Sequence, residues 1–474
     1  MKRFWILLLL LAPAPGLAQT RADSALIGRI LMAEDRRDST DAAITAGLRH
    51  TDARVRVIAA RTLGRIRDPL FAARDSLPPV AAPPAWPEPA WRLRYRALTA
   101  QKADCGALRA ALADSAWQVR LRAAGLAEAP CGADSAFVRV LSGWVDSLPR
   151  DTRRRAAGGV SWHAGAHAIV ALARIAPEQA RARLGMLAAH DDWHVRLYAA
   201  RAAALLADTA RLRAFARDPD GNVQEAAIDA LSKLVTHGAD EVYLAALHGD
   251  QAQAVRAAAT ALKGSPAPGA AAAANAVFEQ WVRRANESER DVRVALLEAA
   301  GRPAGDDRPP SPRFDLPPDA VALALGEDVR IRMTLSPDAG GGSFVLRLRG
   351  DVAPIMASRV LALVRTGYYD GGNWHRVEPD FVIQGGGPGT NEYVGYEHYL
   401  RDELGTVAHP RGTVAMSTRG HDTGDAQWFI NLKDNPRLVR DYTVFAEVVE
   451  GIDVVDGILE GDVVATARVE PAGR

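Results

Sequence analysis

The sequence from residue 374 to residue 386 reads Trp374-His375-Arg376-Val377-Glu378-Pro379-Asp380-Phe381-Val382-Ile383-Gln384-Gly385-Gly386. It sets one arginine, one aromatic side chain and one amide at close, irregular intervals beside a run of glycines: Arg376, Phe381 and Gln384. Such an arrangement is typical of a functional site. Taken alone, the stretch also fits an ordinary barrel strand that carries one charged, one apolar and one amide side chain.

Three later segments favour the interpretation as a functional site. They read Gly412-Thr413-Val414-Ala415-Met416-Ser417, Asp425-Ala426-Gln427-Trp428-Phe429-Ile430-Asn431 and Tyr442-Thr443-Val444-Phe445-Ala446-Glu447-Val448. Together with the first stretch they resemble the cyclophilin family of peptidyl-prolyl isomerases, from about Asp328 to about Val469. The resemblance implies a closed antiparallel β-barrel and the activity of a peptidylprolyl isomerase (EC 5.2.1.8).

The resemblance also implies roles for individual residues at matching positions. Arg376 falls on the catalytic arginine of the family, Phe381 on an aromatic of the proline pocket, and Gln384 on the substrate-binding glutamine, so these three are the expected catalytic residues. The expected substrate-binding residues around them are Val382, Met416, Ser417, Thr418, Gln427, Phe429, Leu438 and Tyr442.

Several positions depart from the family pattern. Ser417-Thr418 replaces an Ala-Asn pair that binds substrate largely through its backbone, and Trp428 replaces the first of two successive phenylalanines. Arg437 stands where animal members carry a tryptophan, and Tyr442 where many carry a histidine. The implied consequence is weak binding of cyclosporin rather than loss of isomerase activity.

The chemistry of the reaction explains why these residue types suffice. Rotation of an X-Pro bond crosses a barrier of about 18 to 20 kcal/mol because resonance stabilises the planar amide. In the twisted transition state the nitrogen regains its lone pair, so a guanidinium beside it stabilises that state more than the planar one. An apolar pocket strengthens this interaction by excluding water. We therefore expect no metal and no cofactor, and proline-containing polypeptides as clients.

The N-terminus predicts export. Met1-Lys2-Arg3 is basic, residues 4 to 11 form an apolar run too short to span a bilayer, and Gly16-Leu17-Ala18 fits a cleavage site. We interpret residues 1 to 18 as a removed signal peptide and expect a periplasmic or secreted protein without membrane insertion. With 58 basic and 57 acidic residues, the chain shows no electrostatic footprint for nucleic acid.

The middle of the chain repeats a phrase of Asp, a spacer of up to four residues, Val-Arg and an alanine-rich apolar helix. The copies are Asp52–Leu63, Asp114–Leu126, Asp192–Ala204, Asp220–Leu231, Asp250–Leu262 and Asp291–Ala300, with glutamine replacing the arginine in the fourth. A repeat of paired helices is the signature of an α-solenoid, and this phrase resembles HEAT repeats. We expect the aspartate to cap the second helix of each pair, and the arginine to bond an aspartate or carbonyls of an adjoining repeat.

These patterns divide the chain into a signal peptide (1–18), a HEAT-like solenoid (19–300), a Pro/Gly-rich linker (301–323) and the isomerase domain (324–474). The solenoid is expected to select or position the client, since solenoids offer extended concave binding surfaces, and a protein partner on it is a further expectation. Two rival functions stay open: a barrel that holds proline segments with little turnover, and a scaffold or assembly factor whose function lies in the solenoid.

Cysteine and histidine spacing leave alternatives. Cys105 and Cys131 can form a structural disulfide in an oxidising compartment, remain as two buried thiols, or act as a redox pair, although no C-x-x-C spacing is present. His163 with His167, and His190 with His194, have the i, i+4 spacing that zinc uses. Histidines that are satisfied at the surface or between repeats are the favoured interpretation.

Overall fold

The computed structural model describes residues 15–67, 83–102, 104–148, 161–308, 316–405 and 407–471, with only the backbone for residues 15–22. Most of the predicted signal peptide, residues 1–14, lies outside these ranges, as does the middle of the predicted linker, 309–315. No helix in the described ranges is both long enough and apolar enough to cross a membrane. The described chain is helical up to residue 299 and builds its sheet from residue 330 onwards.

Paired helices build the N-terminal part. They are α1 (Pro15–Arg36), α2 (Ala42–Leu48), α3 (Ala53–Arg67), α4 (Trp91–Ala100), α5 (Cys105–Ala111), α6 (Trp117–Leu126), α7 (Ser135–Asp146), α8 (Trp162–Ile175), α9 (Pro177–Ala188), α10 (Trp193–Leu205), α11 (Thr209–Phe215), α12 (Gly221–Val235), α13 (Asp240–Ala246), α14 (Ala252–Leu262), α15 (Ala270–Arg283) and α16 (Arg290–Ala299). From α5 onwards each odd-numbered helix packs on the even-numbered helix after it, and α4, α6, α8, α10, α12, α14 and α16 pack side by side. We call these even-numbered helices, together with α3, which also contacts the C-terminal domain, the inner helices.

The capping prediction holds for some repeats and fails for others. The Asp192 carboxylate accepts from the backbone N–H of His194 at the start of α10, and Asp220 does the same for Asn222 at the start of α12. The prediction is wrong at α14, whose N-cap is Gln251 without a side-chain cap. It is also wrong at α16, where Asp291 lies within the first turn and pairs with Arg419 of the isomerase domain at 2.6 Å.

The repeat arginine mostly binds carbonyls of its own repeat. Arg196 donates to the carbonyl oxygens of His190 and Asp191, both at 2.9 Å, and to the Asp218 carboxylate of the next repeat. Arg120 bonds the two carbonyls before α6 in the same way. The loops that open α6 and α10 are therefore held by the arginine that follows the buried valine.

Cys105 and Cys131 form a disulfide, which decides between the three alternatives for this pair. It joins α5 to the short turn before α7. The paired histidines have partners other than a metal: His163 Nε2 lies 2.7 Å from the Glu460 carbonyl oxygen, His167 Nε2 lies 3.1 Å from the Tyr198 hydroxyl, and His194 Nδ1 lies 2.9 Å from the Asp192 carboxylate.

The C-terminal domain is a single eight-stranded antiparallel sheet with the order β3-β4-β6-β5-β7-β2-β1-β8. Its strands are β1 (Arg330–Leu335), β2 (Ser343–Leu348), β3 (Trp374–Val377), β4 (Val382–Gly385), β5 (Thr413–Met416), β6 (Trp428–Asn431), β7 (Val444–Glu450) and β8 (Val464–Val469). The predicted closed barrel is wrong: the sheet is a curled half-barrel, because its edge strands β3 and β8 do not pair along their length. An isolated bridge between Asn373 and Val463 joins the two ends.

Short helices cover the sheet and connect it to the solenoid. They are α17 (Ala320–Ala324), α18 (Pro354–Arg365) and α19 (Ile452–Asp456). Helix α17, which begins inside the predicted linker, contacts both α18 and α1. The apolar core of the sheet therefore continues into the first solenoid helices through residues such as Ile27 and Ile30, both fully buried.

The inner helices contact the isomerase domain along the whole solenoid. Near one end, Arg65 of α3 donates to the carbonyl oxygens of Leu404 and Val352 at 2.7 and 2.8 Å. Further along, Gln118 of α6 bonds the Asp456 carbonyl and Asn222 of α12 bonds the Thr390 hydroxyl. The solenoid thus wraps its own isomerase domain, so the two parts form one body in the described structure.

Arg65 anchors this interface, and its removal tests the anchor. The guanidinium is 4% exposed and forms a 3.0 Å ion pair with Glu34, which is 2% exposed. We expect Arg65→Met to lower the free energy of unfolding by about 3 to 5 kcal/mol, because a buried carboxylate loses its partner. Thermal unfolding measures this effect, and Arg54→Met, which removes an arginine that is 63% exposed, is the matched control. Equal melting temperatures for the Arg65 and Arg54 variants would contradict the expectation.

Candidate active site

The β3–β4 hairpin carries the three residues that the sequence singles out as catalytic. Arg376 of β3 pairs with Gln384 of β4, and a register irregularity follows Trp374. Trp374 is 1% exposed, whereas the Arg376 side chain is exposed at the edge of the sheet. The Arg376 guanidinium lies 5.9 Å from the centre of the Phe381 ring and forms no ion pair with any residue in the described ranges, so its donors are available to a substrate.

A small apolar cluster lies beside the hairpin, where the resemblance implies the proline pocket. Its buried residues come from β4, β5, β6, β7 and the turn after β6: Val382, Ala415, Phe429, Leu438 and Val444. The half-buried Phe381 and Tyr442 pack against this cluster, and Tyr442 meets Phe429 edge-on with ring centres 5.3 Å apart. The structure therefore brings together every expected apolar pocket residue except Met416.

Met416 lies on the other face of β5. Successive side chains of a strand point to opposite faces, and Ala415 already occupies the pocket face. The Met416 side chain is fully buried in the main core of the domain. The structure thus corrects the expectation that Met416 lines the site with its side chain.

The amide side chains form a chain of hydrogen bonds at the pocket wall. Gln384 Nε2 donates to Ser417 Oγ at 2.9 Å and lies 3.5 Å from Gln427 Oε1. Gln427 Nε2 in turn donates to the Val394 carbonyl at 2.8 Å. Gln384 is only 3% exposed, so its amide has a fixed orientation. Thr418 is half-buried next to Ser417.

Arg437, which the sequence marks as a departure from the family pattern, and His409, which the sequence does not single out, also shape the site. The Arg437 guanidinium lies 4.4 Å from the centre of the Phe381 ring, so Phe381 has arginines near it on two sides. The His409 ring stacks on Phe429 with centres 6.4 Å apart and a 19° angle between planes. No signal in the sequence links His409 to Phe429, because the two lie on separate segments that meet only in the folded sheet.

His409 makes the stability of the folded protein depend on pH. Burial lowers the pKa of this histidine from 6.5 to about 4, so the folded chain holds a neutral ring at pH 7. The unfolded chain takes up the proton near pH 6.5, and therefore this contribution to stability is complete above that pH and is lost as the pH falls towards 4.

We expect the native protein to lose about 2 kcal/mol of stability through His409 alone between pH 7.5 and pH 5. His409→Gln lacks the titrating group and should lose correspondingly less over the same interval. Denaturant titrations of both proteins at the two pH values measure the difference. Identical pH-dependent losses in the two proteins would show that His409 is already charged in the fold.

Comparison with known proteins places these features in a family. The family described as "Cyclophilin type peptidyl-prolyl cis-trans isomerase/CLD" matches residues 331–473, and HEAT repeats match residues 186–263. A peptidyl-prolyl cis-trans isomerase of Helicobacter pylori strain J99 is 35% identical over 135 residues, which cover 28% of this chain and 83% of that protein. Peptidyl-prolyl cis-trans isomerase B of Bacillus subtilis is 35% identical, with 27% of this chain and 92% of that protein covered. The isomerase B of Escherichia coli is 38% identical, with 25% and 78% covered.

A solved structure is also similar. The cyclophilin type peptidyl-prolyl cis-trans isomerase of Cryptosporidium parvum is 21% identical, and the match covers 31% of this chain and 99% of that one with a TM-score of 0.29. The assignment does not depend on this low score, since the sequence relatives already support the enzyme class EC 5.2.1.8. The chain belongs to the cyclophilin-type peptidyl-prolyl cis-trans isomerase family, with a domain of that type at its C-terminus and HEAT repeats ahead of it.

Proposed function

We propose that this protein rotates X-Pro peptide bonds in exported polypeptides and that Arg376 stabilises the twisted amide. The observation that carries the proposal is the juxtaposition of Arg376 and Gln384 across β3 and β4 beside a buried apolar cluster. A guanidinium, a fixed amide and a dry pocket are the groups that the non-covalent reaction needs.

The pocket accounts for binding of the proline ring. Val382, Phe429 and Leu438 are 2%, 5% and 8% exposed and form an apolar base. The half-buried Phe381 and Tyr442 pack against this base and offer the apolar surface that the ring contacts. With the ring held there, Arg376 donates to the proline nitrogen as that nitrogen regains its lone pair. The interaction exists only in the twisted state and therefore raises the rate rather than the affinity.

Gln384 fixes the other side of the rotating bond. Its amide, oriented by Ser417 and Gln427, binds the backbone of the substrate while the residue before proline turns. Nothing is deprotonated and no covalent intermediate forms, so the proposed mechanism uses neither metal nor cofactor.

Two features support a location outside the cytoplasm. Residues 1–18 have the basic start, apolar run and small cleavage residues of a signal peptide, and the Cys105–Cys131 disulfide fits an oxidising compartment. A mature chain that begins at Gln19 in the periplasm or medium would support this location, and a cytoplasmic chain that keeps residues 1–18 would contradict it.

Removal of the guanidinium tests the mechanism. We expect Arg376→Ala to lower kcat/KM for a blocked Ala-Pro tetrapeptide by about 10²- to 10³-fold, mainly through kcat, because it removes a donor that acts in the transition state. Arg376→Lys keeps the charge without the planar fork and should recover part of the rate. Arg468→Ala, which removes an arginine that is 57% exposed on β8, should match the native rate.

The outcome also decides between an enzyme and a binding module. A native rate equal to the uncatalysed rate would move the domain to a binding role, and an Arg376→Ala rate equal to the native rate would remove Arg376 from the mechanism.

One observation favours weak binding of the substrate at this site. Ser417 already accepts a hydrogen bond from the Gln384 amide, at 2.9 Å, so a substrate carbonyl competes with it. A neutral hydrogen bond contributes about 1 kcal/mol net, and we therefore expect Ser417→Ala to lower KM about fivefold with little change in kcat. Steady-state kinetics on the same tetrapeptide measure this effect. A higher KM would show instead that Ser417 holds Gln384 in its productive orientation.

A further inference from the structure

A cavity of about 800 Å³ separates the inner helices from the hairpin that carries Arg376. Its solenoid wall comes from α4, α6, α8, α10, α12 and α14. Its isomerase wall includes His375, Arg376 and Val377 of β3, together with Tyr393 from the loop after β4. The expected catalytic arginine lies on this wall. A polypeptide that binds with its proline beside Arg376 can therefore extend into the cavity.

The cavity contains buried polar groups without partners. Arg122 Nε, Arg256 Nε and both ring nitrogens of His375 are buried and form no hydrogen bond with any described residue. Arg122 donates through Nη2 to the Thr99 hydroxyl and Arg256 pairs through Nη2 with Glu225, so only the Nε donor of each guanidinium lacks an acceptor. Buried polar groups in folded proteins almost always have partners, and the unsatisfied groups of three side chains around one cavity therefore favour a ligand. The two Nε–H groups require acceptors. Burial and the neighbouring Arg376 lower the pKa of His375 to about 4, so its ring is neutral and offers one donor and one acceptor.

Stacked arginine–tyrosine pairs line the same space. Arg122 lies over Tyr95 at 5.2 Å, and Arg256 of α14 lies over Tyr393 at 3.9 Å. The aromatic contact holds each guanidinium in place while its Nε donor has no acceptor among the described residues. The half-buried Trp117, at the start of α6, adds an aromatic face to the wall.

The charges on the wall fit a polypeptide better than a nucleic acid. Carboxylates stand among the arginines of the lining: Glu225, Asp229, Glu378, Glu392 and Glu460. These carboxylates would repel a phosphate backbone, whose binding depends on clustered positive charge. A peptide backbone instead supplies carbonyl acceptors for Arg122 and Arg256 and an N–H donor with a carbonyl acceptor for His375.

We propose that this cavity is a second binding site, built mainly by the solenoid, for the extended client segment that adjoins the X-Pro bond. The proposal rests on the proposed isomerase function and adds the form of the client: a few residues of unfolded chain on one side of the proline. In the described residues, Arg65, Gln118, His163 and Asn222 of the solenoid already contact the isomerase domain of the same chain, which leaves less of this side for a folded partner. The solenoid thus selects unfolded clients at the cavity.

The test compares a short and a long substrate on the full chain without residues 1–18. The short one is a blocked Ala-Pro tetrapeptide. The long one is an unstructured peptide of about 16 residues with the same tetrapeptide at its centre, which reaches across the cavity at roughly 3.3 Å per residue. We expect kcat/KM of the native protein to be about tenfold higher for the long peptide.

Variants of the cavity wall should remove this difference selectively. Arg122→Met keeps the apolar stem over Tyr95 but removes the donor, and Trp117→Ala removes the aromatic face, so one variant remains informative if the other does not fold. Both should turn over the tetrapeptide at the native rate and lose most of the tenfold advantage. Arg109→Met, which removes an arginine of α5 that is 44% exposed and lies outside the cavity lining, should keep it.

The failure of this proposal differs from the failure of the isomerase proposal. Equal kcat/KM for both peptides in the native protein, or a full length advantage in both wall variants, would overturn the second site and leave isomerase activity intact. Loss of the proposed function would appear as a tetrapeptide rate equal to background. A binding measurement tests the cavity even if the protein shows no isomerase activity. The probe is the long peptide with alanine in place of proline, and fluorescence anisotropy measures its binding. We expect the affinity to persist in Arg376→Ala and to weaken about tenfold in Arg122→Met.

Discussion

The structure depends on the polar contacts that inner helices make with backbone groups of the isomerase domain. Arg65 bonds the carbonyls of Val352 and Leu404, Gln118 bonds that of Asp456, and His163 lies within hydrogen-bond distance of that of Glu460. A buried carbonyl without a donor is costly, so each contact satisfies the loop of one part with a side chain of the other. The solenoid therefore behaves as a fixed frame around the half-barrel rather than as a separate arm on a linker.

This frame changes the role expected of the solenoid. Solenoids commonly bind partners on the concave surface, but here much of that surface binds the domain of the same chain. The space that remains is the cavity beside Arg376. Because the frame and the hairpin bound it together, the proposed client site and the proposed catalytic arginine share one cavity.

The candidate active site combines buried apolar side chains with an exposed arginine. The pocket side chains are nearly inaccessible to solvent because five elements converge on them, whereas Arg376 lies on an edge strand where few neighbours cover it. Ser417 takes part of the hydrogen-bonding capacity of Gln384. The Ser417 hydroxyl therefore both orients the Gln384 amide and occupies one of its donors.

The sequence by itself determined the helical repeats, the family of the C-terminal domain and most of the pocket, because buried spacing and motif residues are local properties of the chain. It did not determine the open edge between β3 and β8, the inward position of Met416, the stacking of His409 on Phe429, or the caps at α14 and α16. Each of these depends on contacts between residues far apart in the sequence. The cavity is the clearest case: Arg122, Arg256 and His375 belong to separate elements, and only the wrapping of the solenoid around the sheet places their unpartnered groups in one space.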